Sequence, residues 1–585
     1  MFRSKGTVLL IIAGMLACHF FYYPKWEKQG TEATLSWDVS GYYMYLPALF
    51  IYGDLKACGF QDDILARYGP TPDFQQAFVH PRSGNYVMKY SMGQALQFAP
   101  FFFIAHGWAS SSDSYPPDGF SLPYQFMISM GSLLVAILGL LFLRKALLTY
   151  FRDGIVSLTL LGIFLGSNYL NYSAIDGAMT HNHLFTIYSL LILLTIRYYR
   201  NPSLVKSMGI GLLCGLATIT RPTEILSLLI PFLWGVNLAK RASRQERLDF
   251  LKAHLPHLAL ASLLFLAVGS LQLVYWKYVS GSWLVYSYGD QGFSWLSPHI
   301  WKGLFSYRSG WLMYSPFMVF SLLGFYYLFR RNASLAWLPF CFSLLFIYVT
   351  FSWDIWWYGG SLGQRAMVQA YPILAFPLAA FFENFRASDK RLKMALAAIM
   401  GVFVYLNLWF THQAHLGSML YAGQMTGAYY WKTIGRLQSH PEDVKLLDNK
   451  EIFTSTPGNR RTLYVHDTTF LLDAERQFSP EIEVPVAGNP DFDWIRVSAV
   501  ASIGTKEWNN WSMTQFIVEL KNGGEVVKSS MIRIQRLLHD HQTREIHLDV
   551  SVPQVAFDTI SVYFWNANGT RAIELREISV EVFDE

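Results

Sequence analysis

An acidic residue stands among aromatic and small residues shortly after the first long apolar run. This residue is Asp38, in the segment 35–43, which reads Leu-Ser-Trp-Asp-Val-Ser-Gly-Tyr-Tyr. A carboxylate in such surroundings is only partly solvated, which suits a general base. The alternative is structural, because an Asp that precedes a helix commonly caps it. The spacing alone leaves both interpretations open.

Three basic residues lie near the ends of apolar runs. Lys89 and Arg221 are at positions suited to binding phosphate, and Arg365 follows aromatic residues and glycines that together suit contact with a sugar or isoprenoid. Lys89 precedes a Phe-rich stretch, Arg221 separates two short apolar runs, and Arg365 closes a glycine-rich turn after the aromatic segment 353–358. Arginine binds phosphate oxygens bidentately. Each residue also has a plainer interpretation. Lys89 is then a snorkelling lysine, Arg221 a partner of Glu224 three residues later, and the aromatic segment an interface belt.

A short polar loop contains Asp176, His181 and His183. Carboxylate and imidazole groups bind divalent metals, but a complete site needs more ligands than this loop offers. The loop therefore indicates a metal site, an acceptor contact or simply solvated side chains. We assign no cofactor from the sequence, and a divalent metal stays an alternative.

The composition indicates a protein that spans a membrane many times. Of 585 residues, 52% are hydrophobic and only 15% are charged, whereas soluble domains carry about 25% charge. The net charge of +5 comes without a basic stripe, which argues against nucleic-acid binding. Eleven apolar runs predict about eleven membrane-spanning helices: 6–21, 124–143, 155–172, 184–199, 208–220, 225–239, 258–276, 311–329, 336–351, 368–382 and 394–410.

The positions of lysine and arginine predict the orientation of these spans, because basic loops stay in the cytoplasm. With the N-terminus inside, every cytoplasmic loop is short and basic, as in 240–252 and 386–393. The outer side then holds a large loop, 24–123, whose apolar stretch 95–108 predicts an interfacial or re-entrant helix. We expect a plasma (inner) membrane protein whose candidate site residues lie on the non-cytoplasmic face.

The chain changes character after residue 410. Residues 1–410 form the predicted transmembrane domain, 411–440 a linker, and 441–585 an extracytoplasmic all-β domain. The last region alternates polar and apolar residues with a period of two, and Lys-Asn-Gly-Gly at 521–524 predicts a hairpin turn. Seven strands predict a β-sandwich: 462–466, 495–503, 516–520, 526–534, 545–552, 560–565 and 572–582.

In their order and sidedness, these motifs resemble the GT-C superfamily of integral membrane glycosyltransferases. Asp38 followed four residues later by Tyr42 is similar to the family's catalytic Asp motif in the first outer loop. Lys89 is similar to the lysine of the turn before a juxtamembrane helix, Arg221 to an Arg-Pro motif, and Arg365 to the end of a glycine-rich turn. The tail resembles carbohydrate-binding jelly-roll modules.

The sequence also departs from one member of that family, the lipid A aminoarabinose transferase. That enzyme has an acidic, metal-contacting residue immediately before the lysine, where this chain has Met88. It also has an arginine between the Asp and the Tyr, where Gly41 precedes Tyr42. The resemblance therefore assigns phosphate binding to Lys89, Arg221 or Arg365.

The resemblance implies a glycosyltransferase that moves a hexose or pentose from a polyprenyl-phosphate donor to an acceptor hydroxyl, with inversion and with Asp38 as base. The implied partners are the lipid-linked sugar, the bilayer and an acceptor lipid, glycan or protein. Two other classes stay open, a transporter or flippase of lipid-linked sugars and a ligase of lipid-linked polymers. A transporter is expected to contain internal repeats and to have its binding site near the midplane of the membrane.

The orientation is tested with single cysteines in a chain whose four native cysteines are replaced. We expect Asn522→Cys to react with a membrane-impermeant maleimide in intact cells, and Arg244→Cys only after permeabilisation. An odd number of spans places the N-terminus and residue 522 on opposite sides. Labelling of both positions in intact cells, or of neither, would contradict the predicted count and orientation.

Overall fold

We describe the protein from a computed structural model that covers residues 3–486, 491–507, 509–569 and 571–585. The chain divides into two compact units, 1–423 and 424–585. The division falls inside the segment predicted as a linker. The first unit is helical and the second is mainly β, so the predicted fold class is confirmed.

Each of the eleven apolar runs is helical over most of its length. The helices are α1 Ser4–Ala17, α2 Trp37–Tyr43, α3 Tyr45–Phe50, α4 Gln61–Tyr68, α5 Gly93–Ser110, α6 Leu122–Leu147, α7 Asp153–Gly166, α8 Tyr169–Ala174, α9 Thr180–Arg200, α10 Leu204–Thr220, α11 Leu229–Leu233, α12 Arg241–Ala253, α13 Leu255–Ser280, α14 Ile300–Phe305, α15 Trp311–Tyr314, α16 Val319–Arg331, α17 Ala333–Ser352, α18 Tyr371–Ala387, α19 Lys390–His415 and α20 Gly427–Thr433.

In the described part of the chain, six helical segments are long and apolar enough to cross a membrane. They are Ser4–Glu27, Leu122–Leu147, Leu255–Ser280, Ala333–Ser352, Arg365–Ala387 and Lys390–His415. The other predicted spans are shorter, less apolar or broken. The run 155–172, for example, contains α7 and α8. The count of eleven stays a prediction.

Helix α18, preceded by a 3-10 turn at Arg365–Ala370, lies at the centre of the first unit. Almost all of its apolar window is buried, whereas α13 and α19 expose most of theirs. Because α18 is buried, the turn that precedes it is held in a fixed position. That turn carries Arg365.

The predicted outer loop, 24–123, is built from short elements rather than one long coil. Its first part contains α2, α3 and α4, and a two-stranded ribbon follows, with β1 Ala77–Val79 paired to β2 Tyr86–Met88. The predicted interfacial helix is α5, an 18-residue helix. Gly93 lets α5 begin against the Arg221 turn, since a β carbon there would lie 2.4 Å from the Thr220 nitrogen.

The β domain consists of two antiparallel sheets and contains all seven predicted strands. Its strands are β3 Gly458–His466, β4 Phe470–Leu472, β5 Ile482–Pro485, β6 Trp494–Ile503, β7 Gln515–Asn522, β8 Glu525–Arg533, β9 Thr543–Ser551, β10 Thr559–Trp565 and β11 Ile573–Asp584. One sheet has the order β5-β10-β7-β8. The other has β3-β11-β6-β9, with β4 also paired to β11. The predicted hairpin joins β7 and β8, where Gly523 and Gly524 both have positive φ.

Close helix packing around α18 depends on Gly324 in α16. A β carbon at this position would lie 2.0 Å from the carbonyl oxygen of Pro377. We expect Gly324→Ala to lower the free energy of unfolding by about 1–3 kcal/mol, as overpacking does. The matched control is Gly401→Ala in α19, where the new methyl group meets nothing within 4 Å. Equal thermal stability of both variants in detergent would refute this packing argument.

Candidate active site

Asp38 is the second residue of α2 and points at two hydrogen-bond donors. The residue before the helix is Ser36, so the prediction that Asp38 caps a helix is wrong. Its Oδ1 accepts a hydrogen bond from the Tyr90 hydroxyl at 2.6 Å, and its Oδ2 accepts one from Arg365 Nη2 at 2.6 Å. The Asp38 side chain is still 24% exposed. A substrate can therefore reach this carboxylate.

Tyr90 reaches Asp38 because a glycine makes room for its ring. A β carbon on Gly41 would lie 2.5 Å from two ring atoms of Tyr90. The other end of Tyr90 is held by Tyr45, whose hydroxyl donates to the Tyr90 carbonyl oxygen at 2.6 Å. The Gly41 that departs from the aminoarabinose transferase pattern thus has a packing role here.

Arg365 is fixed by the glycine-rich turn that precedes it. The carbonyl oxygens of Leu362 and Gln364 both accept from the Asn168 amide, at 3.2 and 3.3 Å. Ser309 donates to the carbonyl of Gly363 at 2.7 Å. The Nε of Arg365 is buried and has no hydrogen-bond partner within the described part of the chain. This N–H is available to a ligand.

Arg221 contacts His181 and an aromatic ring. Its Nη1 lies 3.4 Å from Nε2 of His181, and its guanidinium carbon lies 5.4 Å from the centre of the Tyr358 ring. His181 Nδ1 in turn lies 2.8 Å from the amide oxygen of Gln369. The guanidinium can donate only, so it fixes the imidazole with its proton on Nδ1.

Glu224, the predicted partner of Arg221, has other partners. Its fully buried carboxylate accepts from the Tyr188 hydroxyl at 2.6 Å and from the Gln369 amide at 2.5 Å. The charges of Arg221 and Glu224 still attract each other, but the link between them runs through His181 and Gln369. The side chain of Arg221 instead contacts His181 and the Tyr358 ring.

Two aromatic residues beside these charges have a strained backbone. Trp37, next to Asp38, has φ 46°, and Tyr358, under Arg221, has φ 54°. This left-handed conformation costs a residue other than glycine on the order of 1 kcal/mol or more and is concentrated at functional sites. Tyr358 is held by its hydroxyl, which donates to the Thr350 carbonyl at 3.0 Å.

Tyr42 and Lys89 complete the group of predicted residues that the fold brings together. The rings of Tyr42 and Tyr90 are 4.6 Å apart, edge to face, and Lys89 Nζ lies 5.6 Å from the Tyr90 ring centre. The charges of Arg221, Asp38 and Arg365 all act on the Tyr288 phenol, whose pKa burial raises to about 12. These residues therefore share one aromatic-walled site.

The charge state of Asp38 follows from its neighbours. Burial raises the pKa of the Asp38 carboxyl, but Arg365, the Tyr90 hydrogen bond and Lys89 together lower it by more, so the pKa lies below its ordinary value. Asp38 is an ionised carboxylate at neutral pH. The Tyr90 hydroxyl and the Arg365 guanidinium both donate hydrogen bonds to it.

The other residues of the polar loop lie apart from this site. Asp176 pairs with Lys25 and accepts from the Asn171 amide at 3.0 Å. His183 Nε2 lies 3.2 Å from the Ser132 hydroxyl. Across the described residues, no group of three or more His, Cys, Asp or Glu side chains is arranged to hold a metal ion. Asp176, His181 and His183 have separate partners and do not fit a shared metal site.

Several site residues had no role in the sequence analysis. Tyr90, Tyr288 and Tyr358 form the aromatic walls, and Gln369 connects His181 to Glu224. Tyr90 follows Lys89 in a motif that was noticed for its basic residue, whereas Tyr358 belongs to the aromatic segment 353–358, which was noticed as a whole without a role for Tyr358 itself. Tyr288 comes from the loop 277–310, and nothing in its local sequence marks it.

Similar chains occur among solved structures. No family model matches the chain, and no curated protein matches it. The cryo-EM structure of arabinosyltransferase EmbB from Mycobacterium smegmatis is similar over 99% of this chain, with 12% identity and a TM-score of 0.34. The chain spans 64% of the length of that protein. The function proposed below therefore rests on the side chains of the site and on the sequence motifs.

The hydrogen bond from Tyr90 to Asp38 predicts a pH-dependent effect of Tyr90→Phe. Because the folded-state pKa of Asp38 is lowered, its ionisation stabilises the fold above the unfolded pKa of about 3.9, and that stability is lost as pH falls through the folded-state pKa. Removing the hydroxyl brings the pKa closer to its unfolded value. We expect Tyr90→Phe to lower Tm at pH 7 and the deficit to shrink as pH falls below about 4.

The control for this prediction is the same change in an Asp38→Asn chain. There, the Tm difference caused by Tyr90→Phe is expected to be independent of pH. A pH-dependent deficit that persists without the Asp38 carboxylate would assign the effect to another group.

Proposed function

We propose that this protein is a membrane glycosyltransferase that moves a sugar from a polyprenyl-phosphate donor to an acceptor hydroxyl on the non-cytoplasmic face. The observation that carries the proposal is the pairing of one accessible carboxylate, Asp38, with Arg365 in an aromatic-walled site that also contains Arg221. A base beside two fixed cations is what transfer from a phosphate leaving group requires. The resemblance of the motifs to the GT-C superfamily supports the lipid-linked donor.

The donor phosphate is proposed to bind between the two arginines. Arg365 has an unpartnered buried Nε in the described part of the chain, and Arg221 contacts only a weak acceptor, His181, and an aromatic face. Guanidinium groups match phosphate oxygens bidentately. Lys89, whose charge also acts on Asp38, adds a third cation. Fixed cations stabilise the charge that develops on the departing phosphate.

The aromatic walls suit the sugar. Tyr42, Tyr90 and Tyr288 pack near one another beside Asp38, and Tyr358 lies beneath Arg221. Tyrosine rings offer apolar faces to the C–H groups of a sugar while their hydroxyls form hydrogen bonds. They also exclude water, which favours transfer over hydrolysis of the donor.

Donor binding is proposed to activate Asp38. Arg365 and Tyr90 both donate to the carboxylate, which makes it a weak base. A donor phosphate competes for the guanidinium of Arg365. Loss of that hydrogen bond raises the pKa of Asp38 and makes its oxygen available to the acceptor.

The proposed reaction is a single displacement. Asp38 takes the proton of the acceptor hydroxyl as that oxygen forms its bond to the anomeric carbon. The bond from the anomeric carbon to the phosphate oxygen breaks, and polyprenyl phosphate leaves with the electron pair. Attack opposite the leaving group inverts the anomeric centre. The proton on Asp38 then passes to solvent.

The test is transfer by the purified full chain from a panel of radiolabelled polyprenyl-phosphate sugars, with a membrane extract as acceptor. We expect transfer by the wild type and a loss of about 10²–10⁴-fold in Asp38→Asn, the usual effect of removing a general acid–base group. Donor binding should survive in that variant, because the arginines remain. Unchanged transfer in a correctly folded Asp38→Asn protein would remove Asp38 from the mechanism.

Arg365→Gln tests the proposed phosphate-binding role of Arg365. It is expected to weaken donor binding and to lower transfer, whereas Arg365→Lys keeps the charge and restores part of both. The matched control is Arg308→Gln, since Arg308 stacks on Trp357 and donates to the Gly423 carbonyl. Movement of intact donor across liposomes without sugar transfer would instead favour a flippase.

A further inference from the structure

A cavity lies beside the proposed catalytic site. It is an open groove of about 820 Å³ between the ribbon of β1 and β2 and the segment 282–291. Lys89 and Tyr288 line it and also lie within electrostatic reach of Asp38. The two segments are tied together where Ser287 donates to the Lys89 carbonyl at 2.6 Å. Lys89 and Tyr288 thus place the groove beside Asp38.

The polar side chains of the groove favour an anionic ligand. His80, Arg82 and Lys89 line it, and its lining residues in the described part of the chain include no Asp or Glu. Asp73, which accepts from the Gln75 amide, and Asp290 lie next to lining residues. Gln75 and Gln291 add neutral hydrogen-bonding groups, and aromatic residues supply flat apolar faces. Cations and amides together with aromatic rings suit a sugar that carries a phosphate, sulfate or carboxylate.

One side of the groove carries exposed apolar side chains of the kind that contact a membrane surface. The last turn of α13 and the chain from there into α14 expose large apolar groups in close succession: Tyr278 59%, Trp283 58%, Leu284 76%, Tyr286 58%, Leu296 102% and Trp301 75%. Exposed aromatic and aliphatic residues at the end of an apolar helix are typical of the headgroup layer. A ligand attached to a lipid can enter the groove from this side without leaving the membrane.

We infer that this groove binds the acceptor, and that the acceptor is a membrane-borne glycan with an anionic group. The inference rests on the proposed function, because it assigns the second substrate of the same reaction. The acceptor's negative group pairs with Arg82 and its reacting hydroxyl extends past Tyr288 to Asp38. The donor phosphate and the acceptor charge then bind to different cations.

The test compares matched probes on the full chain by native mass spectrometry in detergent. The lipid probes are sulfated galactosylceramide and galactosylceramide, which differ only in the sulfate. The soluble probes are galactose 3-sulfate and galactose. We expect the sulfated lipid to bind about tenfold more tightly than the neutral lipid, and Arg82→Gln to reduce that preference to about twofold. Lys302→Gln removes the same charge from an exposed residue that does not line the groove and should leave the preference intact.

Equal binding of the two lipids, or equal effects of Arg82→Gln and Lys302→Gln, would overturn the inference. Binding of galactose 3-sulfate without binding of the sulfated lipid would overturn its membrane-borne part. Polyprenyl phosphate binding is measured in the same samples. If polyprenyl phosphate binds and the sulfated lipid shows no preference, the groove assignment fails and the proposed function stands. If the preference is present and polyprenyl phosphate does not bind, the proposed function fails.

Discussion

The ion pair between Asp38 and Arg365 joins two segments that are 327 residues apart in the chain. One is a short helix of the outer loop, and the other is the turn that leads into the buried helix α18. Both groups remain partly exposed, at 24% and 16%, so solvent screens the pair and its contribution to stability is modest. Its geometry matters more, because it holds a carboxylate and a guanidinium group in contact within one site.

The surrounding structure keeps those two charges in place. Gly41 and Tyr45 position the Tyr90 hydroxyl. This hydroxyl and Arg365 both donate to the Asp38 carboxylate. The side chains of Asn168 and Ser309 donate to backbone carbonyls of the turn that carries Arg365. The turn is therefore held without hydrogen bonds from the Arg365 guanidinium. A series of hydrogen bonds runs from Arg221 through His181 and Gln369 to Glu224. It holds the second arginine in position. Charges near a membrane are costly, and each of these has fixed polar partners.

Much of the fold was predictable because its signals are local. Length and hydropathy identified the long apolar helices but not polar ones such as α4 and α12. Period-two alternation identified seven strands, whereas the three- and four-residue strands β4 and β5 are too short to give such a pattern. Asp38, Arg221 and Arg365 were singled out from residue type and position, and Tyr42 from the family resemblance. Their partners were not, because a hydrogen bond from Tyr90 or a salt bridge from Lys25 to Asp176 is a tertiary contact between distant segments. The helix-cap interpretation of Asp38 failed for a local reason, since Ser36 already stands at that position.

The central claim is that Arg365 exchanges Asp38 for the donor phosphate and so frees the base. A cryo-EM structure of the full chain with a bound polyprenyl phosphate tests this directly. The account predicts phosphate oxygens within hydrogen-bond distance of Arg365 and Arg221, and an Asp38 oxygen that no longer accepts from Arg365. A phosphate bound away from both arginines, with the Asp38–Arg365 pair intact at 2.6 Å, would contradict it.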